Sequence, residues 1–202
     1  MQIGLNIVIV IITAIISMLA FNNSNLTNKI IFDPYQIKRS NEFYRFITGG
    51  FIHADWIHLA VNMFVLYSFG SIVEQYYNYF FGSSGLLMYG LLYLSSIAAA
   101  SASSYYKHQN DPGYRALGAS GAVSAVLFAS VLFQPTQIIR LYGIIPIPGY
   151  IGAILYLVYS QYAAKHSRDN IGHEAHFYGA IYGVVFTLMF KPSVFKYFLN
   201  QF

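Results

Sequence analysis

The stretch Arg115-Ala116-Leu117-Gly118-Ala119-Ser120-Gly121-Ala122-Val123-Ser124-Ala125-Val126-Leu127-Phe128 opens a strongly apolar segment and gathers tiny residues around one serine. Small residues in an apolar helix let a second helix pack close by. Gly118, Ala119, Gly121, Ala122 and Ala125 also leave the Ser120 hydroxyl unobstructed on the side from which a partner helix or a substrate approaches. Ser124 lies one turn further along the same face. A serine in such a segment often does no more than hydrogen-bond its own i−4 carbonyl. Packing and the display of a reactive hydroxyl are therefore both open here, and the rest of the chain has to decide between them.

Outward from that stretch the chain is 56% hydrophobic and 9% charged, with a mean hydropathy of +0.50, against roughly 25% charged residues in an ordinary soluble domain. This composition predicts an integral, multi-pass membrane protein with the lipid bilayer as its surroundings. A spanning helix needs about 20 mostly apolar residues. Six such runs occur, at about 4–21, 57–77, 85–105, 116–134, 147–163 and 172–190, and they predict an all-α, six-helix bundle in a single domain over residues 1–202 with no soluble domain. The first run follows Met1-Gln2-Ile3 without a basic leader or an Ala-x-Ala site, which predicts a retained helix rather than a signal peptide. The excess of 11 Lys+Arg over 7 Asp+Glu is spread along the chain, so nucleic acid is not an expected partner. With no cysteine, disulfides, thiolate chemistry and Cys-ligated metals are excluded.

Residues 22–56 form a long, polar first loop, whereas the turns at 78–84 and 135–146 are short or apolar. With six spans the termini share one side, and the first loop, the 106–115 loop and the 164–171 loop share the opposite rim. Long polar loops are where function concentrates.

Strongly polar groups inside a span are costly and are functional candidates by default. His58 and Asn62, near the start of the second run, are four apart and stacked on one helix face. They can aim two donors at one point, or simply brace neighbouring helices. His53 lies five residues earlier, in the loop, where a bracing role is expected. In the last run His176, Gly179 and Gly183 follow at i, i+3 and i+7, so the glycines strip bulk from the face that carries the imidazole. His173-Glu174-Ala175-His176 is not a zinc-helix His-Glu-x-x-His pattern and has no obvious third ligand, so no metal is expected. His58, Ser120 and His176 each sit near the rim-side start of an even-numbered span. Those spans run in one direction, which lets the groups meet. A serine nucleophile needs a base for its proton and donors where charge develops on the carbonyl oxygen. Ser120, His176 and the pair His58 with Asn62 supply those three roles.

The sequence resembles the rhomboid family of intramembrane serine proteases over spans two to six. The resemblance rests on Gly118-Ala119-Ser120-Gly121 as a Gly-x-Ser-Gly nucleophile motif, on Ala175-His176-x-x-Gly179-x-x-x-Gly183 and on His58-x-x-x-Asn62. Gly70-x-x-x-Glu74 and Tyr44-Arg45 are further points of similarity. It implies a six-helix core that cleaves transmembrane protein substrates in or near the membrane with a Ser120–His176 dyad, with His58 and Asn62 as oxyanion donors and no cofactor. The aspartates at 33, 55, 111 and 169 lie in loops or at span edges, in keeping with a dyad. It also implies that span five, 147–163, and the loop before span six move to admit substrate. Many members carry an aromatic residue four positions after the nucleophile, against the imidazole. Here that position is Ser124, so either another ring takes its place, such as Tyr178 or an aromatic from the first loop, or the dyad is looser.

By resemblance both termini are cytoplasmic, in a bacterial inner membrane, and the site opens outward. The positive-inside rule points the other way, because the rim loops hold Lys29, Lys38, Arg39, Arg45, Lys107, Arg115, Lys165 and Arg168 against Arg140, Lys191 and Lys196 on the termini side. A non-catalytic binder of membrane-protein clients is the alternative function, which the intact Ser120 and His176 disfavour. A small transporter is a third, disfavoured because the polar groups cluster at one rim instead of forming a path across.

Overall fold

The computed structural model describes residues 4–141, 144–166 and 172–202. Helices occupy all six apolar runs: α1 (Leu5–Phe21), α5 (Trp56–Phe81), α6 (Gly85–His108), α7 (Ser120–Phe133), α8 (Gly149–His166) and α9 (His173–Phe190). The first loop is itself folded into α2 (Ser24–Ile30), α3 (Pro34–Ser40), the single turn α4 (Arg45–Thr48) and a 3₁₀ turn, and α10 (Ser193–Leu199) follows α9.

Two features depart from the expectation of helices alone. The 135–146 connection carries a small antiparallel hairpin, β1 (Ile138–Leu141) against β2 (Ile145–Pro148), with Ile138 opposite Pro148. Isoleucine-rich sequence of this kind favours a pleated, half-buried surface. The second departure is length. Among the described residues one stretch, Trp56–His108, is long and apolar enough to cross a membrane, and α9 with α10 qualifies only as a pair bent by 114°. α1 and α7 are apolar but shorter than a full span.

Large apolar side chains lie on the outside: Ile11, Ile15 and Leu19 on α1, Ile57, Val61 and Phe64 on α5, Leu87 and Leu91 on α6, Ile154, Leu155 and Val158 on α8, and Val185 and Met189 on α9. Polar side chains lie within, among them Asn6, Thr13, Ser17, Asn62, Glu74, Ser96 and Thr187. A soluble monomer rarely leaves apolar patches of this extent. α7 alone is wrapped on all sides, with eleven of its fourteen residues buried.

Close backbone packing centres on α7 and α9. A Cβ at Gly179 would collide with the Gly121 carbonyl oxygen, and one at Gly183 with the Ala125 carbonyl oxygen. Any larger residue at either position would force the two helices apart. At the opposite end Glu74 accepts hydrogen bonds from the Leu5 and Asn6 N–H groups at 2.7 and 2.9 Å, capping α1. Asn6 in turn bonds the Tyr67 carbonyl and accepts from the Tyr89 hydroxyl. A Cβ at Gly70 would strike Asn6 and Tyr89, which explains glycine one turn before Glu74.

Candidate active site

The chain reaches Ser120 through an extended segment held from one side by the first loop. Phe32 and Ala116 exchange two backbone hydrogen bonds at 3.1 and 3.0 Å, and the Gly118 N–H donates to the Gly49 carbonyl at 3.0 Å. The next N–H, on Ala119, donates to His53 Nε2 at 3.3 Å. His53 is buried, and its Nδ1 lies 2.9 Å from Ser17 Oγ, which also donates to the Phe51 carbonyl. With Nε2 accepting and the Ser17 proton committed to Phe51, Nδ1 carries the proton and the ring is neutral. Burial first, and then the nearby His58, lower its pKa from 6.5 to about 3, with Asp55 opposing. The bracing role expected of His53 is thus specific, since it fixes the residue before Ser120.

The loop that supplies these anchors is pinned by a buried arginine. Arg45 Nη1 donates to the carbonyls of Asn28 and Ile31 at 2.9 and 3.0 Å, and its Nε pairs with Glu42. Asp33 caps α3 through the Gln36 N–H and pairs with Arg115 at 3.2 Å. A buried guanidinium that serves backbone carbonyls gives the Tyr44-Arg45 similarity a structural reason.

Gly118 turns the chain into α7 with φ +120°, a conformation strained for any residue with a side chain. A Cβ there would also lie 2.8 Å from His58 Cε1, so the His58 ring rests directly against the turn that presents Ser120. Ser120 is the first residue of α7 and is half-buried, and no side chain caps this helix end. The first N–H groups of a helix have no partner within it, and the helix dipole favours negative charge there.

His58 and Asn62 belong to α5, whose N-cap Asp55 accepts from the His58 N–H at 2.8 Å. Asn62, buried one turn deeper, donates one amide proton to the His58 carbonyl at 2.9 Å, which leaves its second N–H to be directed elsewhere. The segments that carry Ser120 and His176 approach each other through their backbones. Gly179 presses on the Gly121 carbonyl, and a Cβ at Gly121 would lie 3.4 Å from the Ala175 carbonyl oxygen. The structure therefore brings the residue after Ser120 against the residue before His176.

Glu174, the carboxylate nearest in sequence to His176, is engaged elsewhere, accepting from Ser103 at 2.6 Å and from Lys107 at 2.7 Å across to α6. The His173 and His176 rings are perpendicular, with centroids 6.0 Å apart. Among the described residues no group of three or more His, Cys, Asp or Glu side chains could hold a metal ion. Of the eight rim cations, Arg168 lies outside the described residues, as do Asp169 and most of the loop before α9.

One expectation is corrected. The ring over His176 belongs neither to Tyr178 nor to the first loop, but to Tyr156 of α8, stacked at 6.3 Å between centroids and 25° between planes. Its hydroxyl is 2.7 Å from Ser124 Oγ. Ser124 thus spends its hydrogen bond on another helix, unlike Ser68, Ser71 and Ser101, which donate to their own i−4 carbonyls. A signal for Tyr156 existed in the sequence: Gly149, Ala153, Ser160 and Ala163 make a narrow, small-residue face, and Tyr156 is the one large residue on it.

A family model of the rhomboid domain matches residues 40–193. RHOMBOID-like protein 12, mitochondrial, of Arabidopsis thaliana is 25% identical over 185 residues, covering 88% of this chain and 55% of that protein. Rhomboid-like protein 11, chloroplastic, of the same plant is 29% identical over 158 residues, covering 71% of this chain and 51% of that protein. The chain spans about half the length of these curated relatives. They are named for organelles rather than for the bacterial inner membrane that the sequence suggested. With more than half of its length matched by the family model, the chain belongs to the rhomboid family of membrane-integral proteins.

Proposed function

We propose that this protein is an intramembrane serine endopeptidase that cleaves transmembrane protein substrates with Ser120 as nucleophile and His176 as general base. The observation that carries the reading is the backbone contact of α7 with α9, where Gly121 and Gly179 touch beside both residues and Ser120 opens an uncapped helix. The six long and medium helices form a six-span bundle in this reading. α7, with 14 residues, is about 21 Å long, against a hydrocarbon core of about 30 Å. With its far end at one membrane face, Ser120 lies about 9 Å below the other, where a substrate helix can be met inside the bilayer.

In the reaction, Ser120 Oγ attacks the carbonyl carbon of the scissile peptide while His176 accepts the hydroxyl proton. The oxyanion is met by donors from His58 and Asn62 and by the N-terminal N–H groups of α7. His176 then protonates the leaving amine, and the acyl-enzyme is hydrolysed by water with His176 again as base. Glu174, two residues before His176, is held by Lys107 and Ser103 rather than offered as a third catalytic member, which supports reading the pair as a dyad.

The test is proteolysis of a set of single-span peptides in proteoliposomes. Helix-weakening Gly and Pro residues near one membrane face are included, because a hydrogen-bonded helix shields its own carbonyls. Cleavage should disappear in Ser120→Ala and His176→Ala and fall on the order of 10² in Asn62→Ala. Full cleavage by Ser120→Ala would end the reading. Capture of the peptides without cleavage by the native chain would favour the client-binding alternative.

A further inference from the structure

One face of α6 touches both halves of the candidate site. Ala100, Ser103 and Lys107 follow at i, i+3 and i+7 and so lie along one side of the helix. Ala100 is buried against Gly121, where an added Cβ would come within 2.5 Å of the Ala100 methyl, one residue past Ser120. Ser103 and Lys107 hold Glu174 of α9. Ser103 Oγ donates to Glu174 Oε1 at 2.6 Å, and Lys107 Nζ donates to both carboxylate oxygens at 2.7 Å. Glu174 lies inside the first turn of α9, which closes with the His176 N–H donating to the Gly172 carbonyl at 3.0 Å. Gly172, at the N-cap, offers no side chain to hold that turn.

We infer that Glu174 is a positioning residue: held by Ser103 and Lys107, it fixes the first turn of α9 against α6 and thereby sets the distance between His176 and Ser120. The inference rests on the proteolytic reading of those two residues. α9 is pressed on α7 at Gly179 and Gly183, where the carbonyl oxygens of Gly121 and Ala125 leave no room for a Cβ. A line of contact between two helices fixes their separation but not the rotation about that line, which a tie to a third helix does fix. Glu174 stands five residues before Gly179, about 7.5 Å along the axis. His176 lies between them, so a swing at the carboxylate end carries the imidazole with it. Misplacement by about 1 Å costs on the order of 10² in rate. Side chains two apart on a helix do not share a face, so Glu174 acts through the α9 backbone. Its pair with Lys107 is part-exposed, with side chains 27% and 57% accessible, and such pairs contribute little to stability. The tie therefore governs the geometry of the site far more than the survival of the fold.

The experiment measures the rate at which a fluorophosphonate probe labels Ser120 in the full chain, in detergent, together with the melting temperature of each variant. At saturating probe, Glu174→Ala should label on the order of 10-fold more slowly than the native chain. Its half-saturating probe concentration and its melting temperature should be little changed. Lys107→Glu should be slowed at least as much, because it sets two carboxylates side by side. The deciding variant is the exchanged pair, Lys107→Glu with Glu174→Lys, which restores the attraction in reverse and should return the rate to within about threefold of native. Glu74→Ala, at the far end of the bundle, is the comparison: it should melt lower and label at the native rate. Labelling of Glu174→Ala at the native rate would overturn the inference and leave the protease reading standing. So would rates that follow the melting temperatures across the set, or an exchanged pair as slow as its single variants. Failure of the native chain to label would instead overturn the protease reading and the inference with it.

Discussion

At the scale of single residues, the site depends on how the chain arrives at Ser120. Three successive anchors hold residues 116–119, and two of them are backbone bonds that no residue identity announces. The third is His53, whose neutral ring accepts from Ala119. Because its folded pKa is depressed to about 3 while the unfolded value is 6.5, the unfolded chain takes up a proton below pH 6.5 that the folded chain refuses. His53 therefore contributes full stability above pH 6.5 and loses it as pH falls toward 3, by about 1.4 kcal/mol per pH unit. Melting temperature followed from pH 7 to pH 5, above the range of ordinary carboxylates, should fall in the native chain and be flatter in His53→Gln. Equal slopes would show that the ring is not held neutral by the fold. Ser120, His176, His58 and Asn62 were legible because a polar group in an apolar run demands a reason. Tyr156 stood out only as the one large residue on the small face of α8, a faint signal, because a tyrosine with a hydroxyl partner is tolerated at many depths and this chain has 19 of them.

At the scale of elements, the six apolar runs became helices close to their expected limits, while the hairpin after α7 did not announce itself. Ile138-Ile139-Arg140-Leu141 and Ile145-Pro146-Ile147-Pro148 read as apolar linker, since their pairing is a matter of two short segments meeting. The Gly70-x-x-x-Glu74 pattern was visible as a motif, and the structure supplies its purpose: Glu74 caps α1 from a neighbouring helix. Glu74→Ala should cost about 1–2 kcal/mol through two uncapped N–H groups. It should therefore lower the melting temperature while Ser120 labelling at low temperature keeps its native rate, since Glu74 lies at the other end of the bundle from the site. A loss of labelling at a temperature where the variant is fully folded would contradict this separation of stability from chemistry.

At the scale of the whole molecule, apolar side chains outside and polar groups inside fit a bilayer, and the family assignment makes membrane integration secure. The balance of charge across it is less simple than a count of lysines and arginines suggests. Arg45 is buried on backbone carbonyls, Arg115 pairs with Asp33, Lys107 with Glu174, Lys38 with Asn110 and Arg39 with Tyr35. Five of the eight rim cations are thus bound up in the fold of the loops. That gives these basic residues a structural use whichever side of the membrane the rim faces. The orientation implied by the resemblance is tested by a tag on either terminus and protease added outside intact cells: protection of the tag fits cytoplasmic termini, and cleavage from outside contradicts them.

The central claim, that Ser120 is an activated nucleophile served by His176, is tested most directly by fluorophosphonate labelling of the detergent-purified protein, with the modified residue located by mass spectrometry and His176→Ala as control. A single adduct on Ser120 that vanishes in the control is the expected result. A folded native chain that takes no label, or one that labels equally well without His176, would contradict it.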